Sequence, residues 1–195
     1  MNYGELKKQI TDLGFSDENE LKEFGSIVPN AINRAITEIN MTVAPIIGVH
    51  EITQTGSTDG VILYDMEDLT KDGETIKFLE FADTPVMVGK AFYKRYNDFE
   101  IENEKILVMD GSIAGTFKVF YKKAHSPFTT ETDDKTSIEL PLKTHYLLPL
   151  LASYYIWLED EKSKAVDYYN QYEALKNDML SKRSAPRARI MSGGI

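Results

Sequence analysis

The sequence contains no cysteine, one tryptophan and three histidines among its 195 residues. Without thiols there is no disulfide framework, no thiolate metal site and no thiol nucleophile. That composition fits a reducing compartment. His50, His125 and His145 share no ligand-like spacing, so no metal is expected. A long apolar run is missing too. The strongest candidate, THYLLPLLASYYIWL from Thr144 to Leu158, is interrupted by Pro149. It falls short of the roughly 20 apolar residues that span a bilayer, so it reads as a buried core helix and no membrane is expected. The start, MNYGELKKQITDLGF, has no apolar signal core.

Catalytic signatures are equally sparse. Gly111 and Gly115 flank a turn without the lysine of a phosphate cradle, and Ser112 lies in no nucleophile elbow. The clusters Asp65/Glu67/Asp68 and Glu131/Asp133/Asp134 lack the spaced oxygens and the glycine of a calcium loop. They read as solvated loop charge, with Asp133 and Asp134 placed to cap a turn. The expectation is a non-enzyme with no cofactor.

Basic residues are outnumbered, 22 Lys and Arg against 31 Asp and Glu, for a net charge of -9. Four of the bases, Lys182, Arg183, Arg187 and Arg189, lie in the closing SKRSAPRARIMSGGI, and no acid follows Asp178. The body is therefore more acidic still and repels phosphate, which disfavours general nucleic-acid binding. With 42% hydrophobic residues the chain has the material for a globular core.

The pattern along the chain is helix, strands, helix. Leu6, Ile10 and Leu13 share one face of a short helix over Asn2–Leu13, which Gly14 ends. Ser16 is placed to cap a further turn. After Pro29, Ile32, Ala35, Ile36 and Ile39 form an apolar stripe, with Asn33, Arg34, Thr37 and Glu38 facing away. From Ala44 the texture turns to β-branched runs separated by GSTDG and by an Asp-Gly turn at Asp72–Gly73. DFEIENEKILVMDG reads as a hairpin around Glu102–Asn103–Glu104, and Phe117, Val119 and Tyr121 alternate with Thr116, Lys118 and Phe120. A polar loop, HSPFTTETDDKTSIELP, leads to a helix over about Lys143–Leu158 and another over about Asp160–Leu180. The last carries a stripe of Leu158, Ala165, Tyr168, Tyr172, Leu175 and Met179. The fold expected is α+β: mainly a helical bundle, with an antiparallel β excursion over about 49–123 inserted between N- and C-terminal helices. Residues 1–180 form one domain, and an extended arm occupies 181–195.

Several loose motifs follow one another in a fixed order. INRAITEI (Ile32–Ile39) precedes the β-rich middle, which closes with GTFKVFYKKA. Then come DDKTSIELP, HYLLPLLASYYIWLEDE and AVDYYNQYEALKNDML. In this order, from about Pro29 to Leu180, the chain resembles the adaptor (head completion, or head–tail connector) proteins of tailed bacteriophages. The resemblance implies a ring of about twelve copies, matching the portal's twelvefold symmetry. Such a ring sits under the portal at one capsid vertex and extends the DNA exit channel toward the tail. Implied partners are the portal protein and tail or stopper proteins, with DNA passing the lumen unbound. The implied location is the virion neck, after synthesis in the host bacterial cytoplasm. C-terminal tails in such proteins reach the portal or a neighbouring subunit.

A ring subunit needs two different packing patches. Tyr168 and Tyr169 point about 100° apart on a helix, so Tyr168, Tyr169, Tyr172, Leu175 and Met179 are the expected subunit-packing residues. Lys182, Arg183, Arg187, Arg189, Ile190, Met191 and Ile195 are the expected arm contacts to portal or neighbour. Arg187 and Arg189 alternate with Ala188 and Ile190, as a strand added to a partner requires. Another neck or tail-completion virion protein is the alternative, and a soluble enzyme with an unrecognised site is a third.

Overall fold

The computed structural model describes residues 1–89 and 92–184. The fold is α+β, and the described residues form two compact units: Met1–Ala44 together with the chain from Pro127 to Ser184, and the chain between Pro45 and Ser126.

The first unit is helical. Helix α1 (Tyr3–Gly14) starts with a capping box: Asn2 Oδ1 accepts from the Glu5 N–H at 2.8 Å, and Glu5 Oε2 accepts from the Asn2 N–H at 3.0 Å. Two further first-turn donors, Tyr3 N–H and Gly4 N–H, reach the carbonyls of Thr136 and Asp134, both at 2.9 Å. The acidic loop therefore caps the helix, with Asp133 Oδ1 bracing the turn through the Lys135 N–H. Helix α2 (Glu18–Glu23) is capped by Asp17 rather than by Ser16. The Asp17 carboxylate accepts from Glu20 and Asn19 N–H groups, which hold its pKa below the usual carboxylate value. A hydroxyl carries no charge to meet the positive helix end, and aspartate does.

Helix α3 (Ile27–Thr42) has Pro29 in its first turn and buries Ile32, Ala35, Ile36 and Ile39. Its other face is less exposed than the pattern predicts. Asn33 clamps a distant backbone, donating to the Phe128 carbonyl at 2.9 Å and accepting from the Phe128 N–H at 2.8 Å. The Phe128 ring stacks on Tyr3 with centroids 4.7 Å apart.

The helix expected from Lys143 begins instead as a 3₁₀ turn (Leu142–Thr144), and α4 proper runs Leu148–Trp157. Pro149 has no N–H for a bond to residue 145, and its ring crowds that carbonyl, so the α-helix cannot extend further back. Helix α4 is buried on most of its circumference, as a central helix must be. Helix α5 (Lys162–Ser184) passes the expected end at Leu180. Lys182 and Arg183 therefore belong to a helix rather than to an extended arm. No described helix is long and apolar enough to cross a membrane.

The second unit is antiparallel β throughout. Its strands are β1 (Ile47–Thr55), β2 (Val61–Asp65), β3 (Thr70–Lys71), β4 (Glu74–Thr75), β5 (Phe78–Val88), β6 (Lys94–Arg95), β7 (Phe99–Glu102), β8 (Ile106–Asp110) and β9 (Ala114–Lys123). They form sheets in the orders β1-β9-β5-β6, β2-β8-β7 and β3-β4. The Asp72–Gly73 turn joins β3 to β4 with both residues at positive φ, 54° and 86°, where glycine is unstrained. Asn103 and Glu104 are also left-handed in the β7–β8 hairpin, closed by the Lys105 N–H on the Glu102 carbonyl at 3.2 Å. Phe117, Val119 and Tyr121 alternate into a core that includes Ile52, Met66, Val86, Leu107 and Met109.

Candidate functional site

Helix α5 carries the residues expected to pack subunits, and the structure sorts them by what covers them. Tyr168, Tyr172 and Met179 are buried, Tyr172 completely, while Tyr169 is half-buried and Leu175 is 39% exposed. Tyr168 donates its hydroxyl to the Leu13 carbonyl at the end of α1. Lys164 donates to the next carbonyl, Gly14, at 2.8 Å while lying 3.4 Å from the Trp157 ring centre. Helix α1 has no basic residue in its own last turn. Helix α5 supplies the cation that its negative end favours. Only glycine fits at position 14, because a Cβ there would stand 2.8 Å from the Tyr168 hydroxyl and 2.9 Å from Trp157 Nε1. Burial, with Glu161 and Asp167 nearby, pushes the Tyr168 pKa up.

A row of four tyrosines links α4 to α5. Tyr155 meets Tyr154 at 4.9 Å, Tyr154 meets Tyr169 at 4.9 Å, and Tyr169 meets Tyr172 at 5.9 Å between ring centres. Helix α3 closes one end: the Arg34 guanidinium lies 4.1 Å from the Tyr155 ring centre, and the Tyr155 hydroxyl donates to the Glu38 carboxylate. Burial first, then Glu38, raises the Tyr155 pKa to about 12. Between about pH 10 and that value the unfolded chain loses its phenolic proton while the folded chain keeps it. Stability therefore falls as pH climbs through this window. Tyr168, Tyr169 and Tyr172 are shifted the same way. Replacing Tyr155 by Phe should flatten the fall without abolishing it. Urea midpoints at pH 8 and pH 11 check this, and an unchanged slope in Y155F would contradict it.

The other expected contacts fall at the end of the chain. Lys182 pairs with Asp178 at 2.5 Å, one turn back, and this carboxylate holds the ammonium above the ordinary lysine value. Arg183 is the penultimate residue of α5. Arg187, Arg189, Ile190, Met191 and Ile195 lie outside the described residues.

His50 is on β1, His125 bonds the Ser126 carbonyl and His145 bonds the Leu140 carbonyl at 2.8 Å. No group of three or more His, Asp or Glu is placed to hold a metal among the described residues. Of the acidic clusters, Asp65 and Glu67 share Lys105, and Asp134 pairs with Lys7 at 2.5 Å. Exposed apolar side chains remain. Leu13 and Tyr146 line a groove of about 390 Å³ with Gln9, Asp12, Pro149 and Leu150.

A family model described as SU10 adaptor protein matches residues 1–192. No curated protein matches the chain.

Proposed function

The chain belongs to the SU10 adaptor protein family, a phage adaptor family, and we propose that it is the head–tail connector subunit of its virion. In this reading about twelve copies form a ring on the portal, extend the DNA exit channel and offer the tail or stopper proteins a docking surface. The observation that carries the reading is the family match over nearly the whole chain. Three features support it. The acidic body does not grip passing phosphates. Tyr169 and Leu175 flank the buried stripe of α5 on opposite sides, giving one helix two different patches, while buried Tyr168, Tyr172 and Met179 fix how it sits. The groove at Leu13 and Tyr146 adds apolar surface for a neighbour. The residues from Lys182 onward serve as the contact to portal or neighbour.

Isolated subunits of this acidity repel one another, so the free protein should be monomeric or weakly associated and should ring up on a portal template. Sedimentation with and without purified portal tests this. A stable free dimer or tetramer, or no association with portal, would overturn the reading.

A further inference from the structure

The three-stranded sheet of the β unit has one face inside and one outside. Leu107 and Met109 turn inward to the core. The alternate positions form the opposite face, where Leu63, the buried Val108 and Glu100 lie across one row and Asp65, the half-buried Ile106 and Glu102 across the next, with Val61 beside Asp110, so its exposed apolar surface is on β2. Val61 and Leu63 are 66% and 58% exposed on this face. Their surroundings are acidic: Glu100, Glu102 and Asp110 are exposed, and the nearby base, Lys105, is already held between Asp65 and Glu67. Apolar side chains ringed by carboxylates suit an occupant that is both apolar and cationic.

We propose that this face receives residues 185–195 of a neighbouring copy, with Arg187 and Arg189 meeting Glu100 and Glu102 while Ile190 and Met191 cover Leu63 and Val61. This rests on the adaptor reading, which supplies the neighbour. The segment holds two arginines, two bulky apolar residues beside them and no acid. Arginine forks pair well with carboxylates. Fully extended, this segment reaches about 36 Å beyond Ser184, whereas three strands spaced about 4.8 Å apart make a face only about 10–15 Å wide.

Because the chain has no cysteine, introduced thiols are the only ones present. Full-length L63C and full-length I190C are mixed, assembled on purified portal and oxidised. Disulfide-linked pairs should form at least tenfold more than in a mixture of L142C with I190C, since Leu142 is 79% exposed in the helical unit. E100K/E102K in the L63C chain should remove the preference, and R187E/R189E in the I190C chain should restore it. Equal yields at positions 63 and 142 overturn the docking. So does a cross-link confined to a chain carrying both L63C and I190C. A ring that forms without the preference sinks the docking alone, whereas failure of the unmodified protein to assemble on portal removes the adaptor reading and the docking together.

Discussion

Deletion of residues 185–195 should leave the far-UV circular dichroism and the melting temperature unchanged while abolishing stable attachment to the portal. Folding survives because the described cores lie upstream. Among the described residues the last buried side chain of α5 is Met179, and the Lys182–Asp178 pair near the end of the helix is retained. A cut after Leu180 would be a poorer experiment, since it removes a helical turn as well. Attachment suffers because the deletion takes Arg187 and Arg189 from every copy of a ring. If each arm contributes only about 1.4 kcal/mol, its loss is tenfold per site, and linked sites multiply such factors. The truncated protein is then expected to sediment as free subunits in the presence of portal. Normal assembly of the truncated chain on heads would remove the arm from the mechanism.

What was legible in the sequence is what depends on near neighbours. The α3 stripe of Ile32, Ala35, Ile36 and Ile39 is a 3.6-residue period, and the β9 alternation of Phe117, Val119 and Tyr121 is a period of two; both face cores as read. The Asp72–Gly73 turn followed from local backbone preference. Contacts between distant residues left no such mark. Asn33 and Phe128 are 95 positions apart, Lys164 and Gly14 are 150 apart, and nothing around either residue announces the other. Helix α5 shows the limit most clearly. Periodicity marked Tyr172 and Leu175 alike as one apolar stripe, yet the first is sealed inside its own unit and the second stands 39% exposed. A period reveals that a face is apolar, not what covers it. The end of α5 lies past the periodic stripe for a related reason. Ser181–Ser184 has no strong helix signal of its own and continues a helix already nucleated, which costs little per residue.

Tyr172→Ala should therefore act on the fold and Leu175→Glu on assembly. Tyr172 is fully buried, and removing a ring of that size from a packed core costs about 3–5 kcal/mol. The melting temperature should drop by roughly 6–20 °C, since about 1 kcal/mol shifts Tm by roughly 2–4 °C in a chain of this size. The ring matters more than its hydroxyl. That hydroxyl makes no hydrogen bond of good geometry, and its neighbour Thr42 donates instead to the Glu38 carbonyl at 2.7 Å. Tyr172→Phe should consequently stay within about 1 kcal/mol of the parent, because no strong bond is lost. Leu175 is 39% exposed in the free subunit, so Leu175→Glu should cost only about 1 kcal/mol and lower the melting temperature by no more than a few degrees. In the proposed ring the same carboxylate would be pressed against a neighbouring acidic copy, and the portal-templated species should weaken at least tenfold. Thermal melts and sedimentation of Y172A, Y172F and L175E separate these effects. A large Tm loss in L175E, or a stable Y172A, would mean that the inner and outer sides of α5 have been assigned the wrong way round.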